Sequence, residues 1–209
     1  MINFQDIEDA VVDGQHKEIP KLIARMLEQG AAPSDIIKNG LLAGMAVVSP
    51  LFKSGEMFMP EVMLSAKTMN AGLDLLKPLI VEGDMEIAGK AVLGTVESDL
   101  HDIGKNLVKM LLESSGFQVI DLGIDVPAEK FAAAVAEHKP DVLGLAALLT
   151  TTMPNMKKTI QLLEEKGLRT SVRVLIGGAP VSADFAQAIG ADGYAADGAA
   201  AVDFCRQQQ

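Results

Sequence analysis

The chain has 209 residues, 49% of them hydrophobic and 22% charged, with a net charge of −10 and a pI near 4.7. This is the composition of an ordinary globular protein, and its acidity leaves no basic surface for phosphates, which excludes a nucleic-acid partner. A single cysteine, Cys205, excludes a disulfide framework or cysteine cluster; with no apolar run of spanning length and no signal-peptide core, the expected location is the cytoplasm, away from any membrane.

From Ile2 to about Ile80 the apolar residues recur at helical spacing. Ile7 and Val11 begin the pattern, and Ile19, Leu22, Ile23, Met26 and Leu27 form an amphipathic helix closed by Gly30. Pro33-Ser34-Asp35 opens a third helix, with Ser34 or Asp35 as its cap and Ile36, Ile37, Leu41, Val47, Val48 and Leu51 as its buried side. Pro50 and Ser54-Gly55 break that run, and after Pro60 a last helix carries Val62, Met63, Ala66, Met69, Leu73 and Leu76. Four helices with short connections predict a small bundle over residues 1–82. The connection Gly55-Glu56-Met57-Phe58-Met59-Pro60 is unusually apolar for a loop. Its side chains either tuck into the bundle core or form a lid over a ligand. Residues 83–88, in the acidic stretch Glu82-Gly83-Asp84-Met85-Glu86, read as a linker.

Residues 89–209 alternate between apolar runs and helical patterns. Strands are expected over Ala91 to Val96, Phe117 to Leu122, Val142 to Leu149, Val172 to Ile176 and Gly193 to Ala196, each followed by a helix. Five βα units predict an α/β domain, a doubly wound, flavodoxin-like parallel sheet with helices on both faces. Ligands of such sheets bind on the loops at the carboxyl ends of the strands.

The first of those loops carries Ser98-Asp99-Leu100-His101-Asp102-Ile103-Gly104. Ile103, Leu107, Met110 and Leu111 behind it predict a helix with these four residues on its buried face. A histidine coordinates a metal through one ring nitrogen when a carboxylate holds the proton on the other, and Asp99 is the natural partner, Asp102 the weaker one. Gly104 would let a bulky ligand lie close to the backbone. The alternative is a loop histidine beside helix-capping aspartates. The third strand runs into Thr150-Thr151-Thr152, whose hydroxyls can serve a ligand or end the strand. The fourth ends in Gly177-Gly178, suited to a tight turn or to close passage of a ligand.

Taken together, Asp99-x-His101-x-x-Gly104, the segment Ala146 to Thr152 and the pair Gly177-Gly178 resemble the cobalamin-binding domain of cobalamin-dependent methionine synthase and its relatives. The bundle with Phe58-Met59-Pro60-Glu61 resembles the helical cap of that family. Cap and binding domain alone are similar to the stand-alone corrinoid proteins of methylamine, betaine and methanol methyltransferase systems. The resemblance implies cobalamin or a related corrinoid bound base-off/His-on, with His101 as lower cobalt ligand, Asp99 behind it and Thr152 ending a proton relay. It implies cofactor contacts from Ser98, Asp102, Ile103 and Gly104 on the same loop. Leu148 and Thr150 would line the tail pocket, and Gly177 and Gly178 would let the tail pass. Phe58 would sit over the corrin, and Gly44 or Gly198 would approach ring or tail through backbone atoms. The family's Ser-x-Leu motif reads Ala146-Ala147-Leu148 here, which removes a hydroxyl near the tail.

The implied role is that of a methyl carrier, not an autonomous enzyme. Its partners would be a substrate-specific methyltransferase, an acceptor methyltransferase and a reductive activation protein, with the linker near Glu82 as hinge. The alternative is a cobalamin-binding regulatory module, which normally needs a DNA-binding segment. No basic helix-turn-helix is present to supply one.

Overall fold

The computed structural model describes residues 3–79 and 88–207. The chain divides into two compact units, the first formed by residues 1–87 with 113–116 and the second by residues 88–112 and 117–209. The expected linker and hinge, residues 83–88, lie almost wholly outside the described residues.

The first unit is built of four helical rods. These are α1 (Gln5–Val12), α2 (Ile19–Glu28), a composite third rod, and α5 (Met59–Leu76). The third rod joins α3 (Pro33–Ile36), one π turn (Ile37–Leu41) and α4 (Leu42–Ser54) without a break. Its core includes Ile7, Val11, Ile23, Met26, Ile36, Leu41, Val62 and Met69, all buried. The Ser65 hydroxyl donates to the Val12 carbonyl at 3.0 Å and ties α5 to the end of α1.

Several local expectations need correction here. Neither Ser34 nor Asp35 caps the third rod: Ala32 holds the cap position, and Pro33 takes the first helical turn, where its missing N–H costs nothing. Pro50 does not break the rod, which runs on to Ser54 and ends at Gly55 in the left-handed conformation. Val47 points outward, whereas Val48 is buried. Pro33–Phe52 is also long and apolar enough to cross a membrane, with a mean hydropathy of 1.3, contrary to the expectation that no run approaches that length. Its Ile36, Ile37, Leu41, Met45 and Val48 are buried in the bundle, which accounts for its composition. The apolar connection runs from the Gly55 cap of α4 into α5, with Phe58 at the N-cap and Met59 and Pro60 as the first helical residues. Glu61 accepts the Phe58 N–H at 2.7 Å, and the Phe58 ring remains 68% exposed instead of entering the core.

The second unit is a five-stranded parallel sheet in the order β2-β1-β3-β4-β5. Its strands are β1 (Gly89–Thr95), β2 (Phe117–Asp121), β3 (Val142–Ala146), β4 (Arg173–Gly177) and β5 (Gly193–Ala195). The helices between and after them are α6 (Ile103–Glu113), α7 (Ala128–His138), α8 (Pro154–Glu165), α9 (Ala183–Ile189) and α10 (Gly198–Arg206). Phe131 and Val135 of α7, Met156, Ile160 and Leu163 of α8, and Ile189 of α9 share one core with Val92, Leu143, Leu145, Val174 and Ile176 of the sheet. Helices α6 and α10 meet through Leu111 and Gly198, where a side chain on the glycine would strike the leucine. The fold is the flavodoxin-like one expected, and the order reverses between β1 and β3, which opens a crevice at their carboxyl ends.

Two departures occur at that edge. Strand β3 ends at Ala146 and not at Leu149, because the Leu148 and Leu149 amides turn away to a side-chain partner described below. In α6 the first turn is rotated from the expected face: Ile103 is 83% exposed, while Lys105 is buried with Leu111 and Leu112.

Gly44 has a packing role in the first unit. A Cβ there would lie 2.7 Å from the Val11 Cβ and 2.9 Å from the Glu8 carbonyl oxygen, so its absence lets the third rod approach α1. Gly44→Ala is expected to destabilise the protein by about 1–3 kcal/mol through overpacking, measured by chemical denaturation.

Candidate cofactor site

The loop from β1 to α6 and the loop from β3 to α8 face each other across the crevice, and one carboxylate joins them. Asp99 is fully buried. Its Oδ1 accepts the His101 ring Nδ1 at 2.7 Å and the His101 amide at 3.1 Å. Its Oδ2 accepts the Thr152 hydroxyl at 2.7 Å and the Leu148 and Leu149 amides at 2.8 and 3.3 Å. Burial on its own pushes the Asp99 carboxyl up. The Thr152 hydroxyl, the Leu148 amide and the His101 ring and amide outweigh it and hold the group well below the usual carboxylate range.

The charge state of Asp99 decides the tautomer of His101. An ionised carboxylate only accepts, so Nδ1 must carry a proton, and in the neutral ring Nε2 then carries the lone pair. The ring is 49% exposed while its partner is fully buried, so it stands at the surface gripped from behind.

The surroundings of the ring are apolar. Leu100 and Ile103 flank it in sequence and are exposed, as are Ile124 on the loop after β2 and Leu148 and Leu149 on the loop after β3. Five large exposed apolar residues on adjoining loops suit a broad apolar ligand. At Gly104 a Cβ would meet nothing within 4 Å, so this position opens onto free space.

The other expected residues fall as follows. Ser98 is exposed and left-handed, with φ 67°. Asp102 does not hold His101: its carboxylate accepts from the Asn106 amide group at 3.0 Å, within the start of α6. Thr150 is exposed, whereas Thr152 is buried. Gly177 accepts the Ala147 amide at 3.1 Å. Gly178 has φ 130°, and a Cβ on it would lie 1.8 Å from the Ala147 carbonyl oxygen, so the backbone requires glycine there. Gly198 is occupied with packing on Leu111, and Phe58 and Gly44 belong to the helical unit.

Sequence reasoning missed four supports. The buried Thr95 hydroxyl donates to the His101 carbonyl at 2.8 Å. Asp125 bonds the backbone on either side of the Ser98–Asp99 peptide, at Ser98 N–H and Asp99 C=O. The Leu148 and Leu149 amides bind the carboxylate, which no side-chain pattern reveals. Lys105, 3% exposed, donates to Asp121 and to Asn106, both at 2.7 Å. Burial raises the Asp121 carboxyl, but the Lys105 and Gly123 bonds and the charges of Lys105 and Lys109 bring it below its ordinary value. A lysine on the inward face of an amphipathic helix was the available signal for that pair.

Among the described residues no three His, Cys, Asp or Glu side chains converge on a point. A bare ion therefore has no cage among them. A metal held within a macrocycle would need fewer protein donors, and His101, half exposed and backed by Asp99, is a side chain that could supply one. A helical unit joined to a flavodoxin-like unit, with an acid-backed imidazole at the switch point, defines a binder of metal-centred tetrapyrroles. Family models described as B12 binding domain match residues 4–77 and 89–203, and the chain belongs to that family. It is 42% identical over 207 residues to a corrinoid protein of Desulfitobacterium hafniense, covering 98% of this chain and 96% of that one. It is 48% identical over 171 residues to dimethylamine corrinoid protein 1 of Methanosarcina acetivorans, covering 81% of this chain and 80% of that one. Among solved structures it resembles the methanol:cobalamin methyltransferase complex of Methanosarcina barkeri, with a TM-score of 0.86 and 37% identity over 94% of this chain and 75% of that one.

Asp99→Asn replaces an all-acceptor group by one whose NH₂ must face donors on one side or the other. The cofactor-free variant is expected to lose about 1–3 kcal/mol of stability at neutral pH, measured by urea denaturation. The folded-state carboxyl lies below its unfolded value, so its contribution is complete above about pH 5, begins to fall as pH drops below the unfolded value of about 3.9, and is gone only below the lower folded value. The difference between wild type and Asp99→Asn should therefore narrow on acidification.

Proposed function

We propose that this chain is a corrinoid methyl carrier. A partner methyltransferase specific for a methylated amine, betaine or methanol loads the methyl group, and a second methyltransferase takes it to a folate or thiol acceptor. The observation that carries this reading is the chain Thr152–Asp99–His101, which turns His101 Nδ1 toward the buried carboxylate at the switch point and leaves Nε2 as the ring nitrogen not engaged by it. Support comes from the relatives, whose names describe corrinoid proteins and a complex with a methanol:cobalamin methyltransferase. The cytoplasm is the proposed location, and a reductive activation protein is a proposed third partner.

The corrinoid, when bound, supplies the cobalt centre that accepts and releases the methyl group. The chain's own residues supply position and electrostatics. His101 would hold the cobalt through Nε2. Asp99 keeps the proton on Nδ1, which fixes the ring's orientation. The Thr152 hydroxyl has acceptors on two sides, Asp99 Oδ2 at 2.7 Å and the Leu149 carbonyl at 2.9 Å, but one proton to give. It can therefore strengthen or relax its hold on Asp99 as the demand on the imidazole changes. Leu100, Ile103, Ile124, Leu148 and Leu149 offer exposed apolar surface that a bound corrinoid would cover. Ala146 offers no hydroxyl to the cofactor's tail, which the loops carrying Leu148, Thr150, Gly177 and Gly178 would receive.

The test is reconstitution with hydroxocobalamin, followed by gel filtration and electron paramagnetic resonance of the divalent cobalt. The expected result is a red protein with nitrogen superhyperfine splitting from one axial imidazole. Uniform ¹⁵N labelling of the protein should change the splitting pattern, and His101→Ala should abolish it. A colourless protein, or splitting unaltered by the label, would defeat the proposal.

A further inference from the structure

Two non-glycine residues at this edge hold left-handed backbone conformations, Ser98 with φ 67° and Asp125 with φ 53°. Such conformations cost free energy for a residue with a Cβ, and they persist where surrounding contacts over-determine them. Here each residue's contacts involve the other's segment. The Asp125 carboxylate accepts the Ser98 amide at 2.6 Å, and the Asp125 amide donates to the Asp99 carbonyl at 3.0 Å. The peptide linking Ser98 to Asp99 is thus bracketed from both sides by one residue of the neighbouring loop.

The consequences run directly to the imidazole. Asp99 lies between the bracketed peptide and its own side-chain partners, and it holds His101 through both ring and amide. The Thr95 hydroxyl pins the His101 carbonyl from beneath. Beside Asp125, the Val126 amide donates to the Thr95 carbonyl and the Thr95 amide to the Gly123 carbonyl, each at 3.0 Å. The loop after β2 is therefore an extension of the sheet, and Asp125 stands on a rigid base.

The geometry points to Asp125 as a positioning residue: its carboxylate and amide clamp the Ser98–Asp99 turn so that His101 is presented in one orientation. It touches neither the imidazole nor the reacting atoms. The inference rests on the corrinoid reading for its functional meaning, but the clamp itself is a property of the cofactor-free chain. An acceptor oxygen and tolerance of positive φ are both needed at this position. Asparagine supplies both, and glycine supplies only the second.

Three proteins separate these requirements: wild type, Asp125→Asn and Asp125→Gly. In the cofactor-free proteins, hydrogen exchange should show the Ser98 amide protected in wild type and in Asp125→Asn. In Asp125→Gly it should exchange about tenfold faster, the loss of one charge-assisted hydrogen bond, while amides of β1 and β3 keep their protection. After loading with cobalamin, the nitrogen-split signal of divalent cobalt should persist in Asp125→Asn. In Asp125→Gly it should give way in part to a signal without axial nitrogen, with cobalamin held about tenfold more weakly. An unprotected Ser98 amide in wild type overturns the clamp without any variant. So does an Asp125→Gly protein with wild-type cobalt ligation, or an Asp125→Asn protein that behaves like the glycine variant. Failure of wild type to bind cobalamin sinks the corrinoid reading instead, and leaves the exchange result standing.

Discussion

The structure at the sheet edge depends on one buried carboxylate. Asp99 receives five donors: two from His101, the Leu148 and Leu149 amides and the Thr152 hydroxyl. An unpaired charge at this depth would be untenable, so the donors are a condition of folding as well as of chemistry. Because they come from the loops after β1 and β3, satisfying the charge also closes those loops on each other. The same bonds keep the carboxyl ionised, which holds a proton on Nδ1 and fixes the ring from behind. Stability of the crevice and the orientation of His101 are thus two readings of one interaction.

The fold makes that interaction available. Strand order β2-β1-β3-β4-β5 sets β1 beside β3, although the chain visits β2 between them. Residues about fifty positions apart in sequence, Asp99 and Thr152, thereby come within hydrogen-bond reach. The exposed leucines and isoleucines around His101 have no such partner within their own loops. Their exposure is unfavourable in water, and covering them with an apolar ligand would relieve that cost.

Much of this was legible in the sequence because it rests on periodicity and on side chains. Alternating apolar runs and helical stripes gave the bundle and the βα order, and Asp99-x-His101-x-x-Gly104 marked the histidine and the carboxylate that holds it. What escaped was mostly set by backbone or by tertiary compensation. Leu148 and Leu149 extend an apolar run that reads as strand, but their amides answer a distant charge, so β3 stops at Ala146. Ile103 fits the buried stripe of α6, yet Lys105 takes the inward place because Asp121 and Asn106 satisfy its charge there. Pro50 reads as a helix end, but bundle packing carries the rod past the lost hydrogen bond. Asp125 looks like any loop aspartate, since nothing local announces that its φ is positive or that its carboxylate reaches across to Ser98.

The glycine pair shows how a backbone requirement serves the site at one remove. Gly177 and Gly178 were expected to make either a tight turn or a passage for a ligand. The Ala147 amide donates to the Gly177 carbonyl, and the Ala147 carbonyl occupies the space that a Gly178 Cβ would need. The Ala147–Leu148 peptide is consequently pressed against the end of β4 with its orientation set. The N–H of that peptide is the one that reaches Asp99 Oδ2 at 2.8 Å. A side chain at Gly178 would push the peptide away, weaken a donor to the carboxylate, and so loosen the hold on His101 from the opposite strand. The fourth strand therefore acts on the imidazole through two glycines and a main-chain amide, a route independent of whether a cofactor tail also passes there.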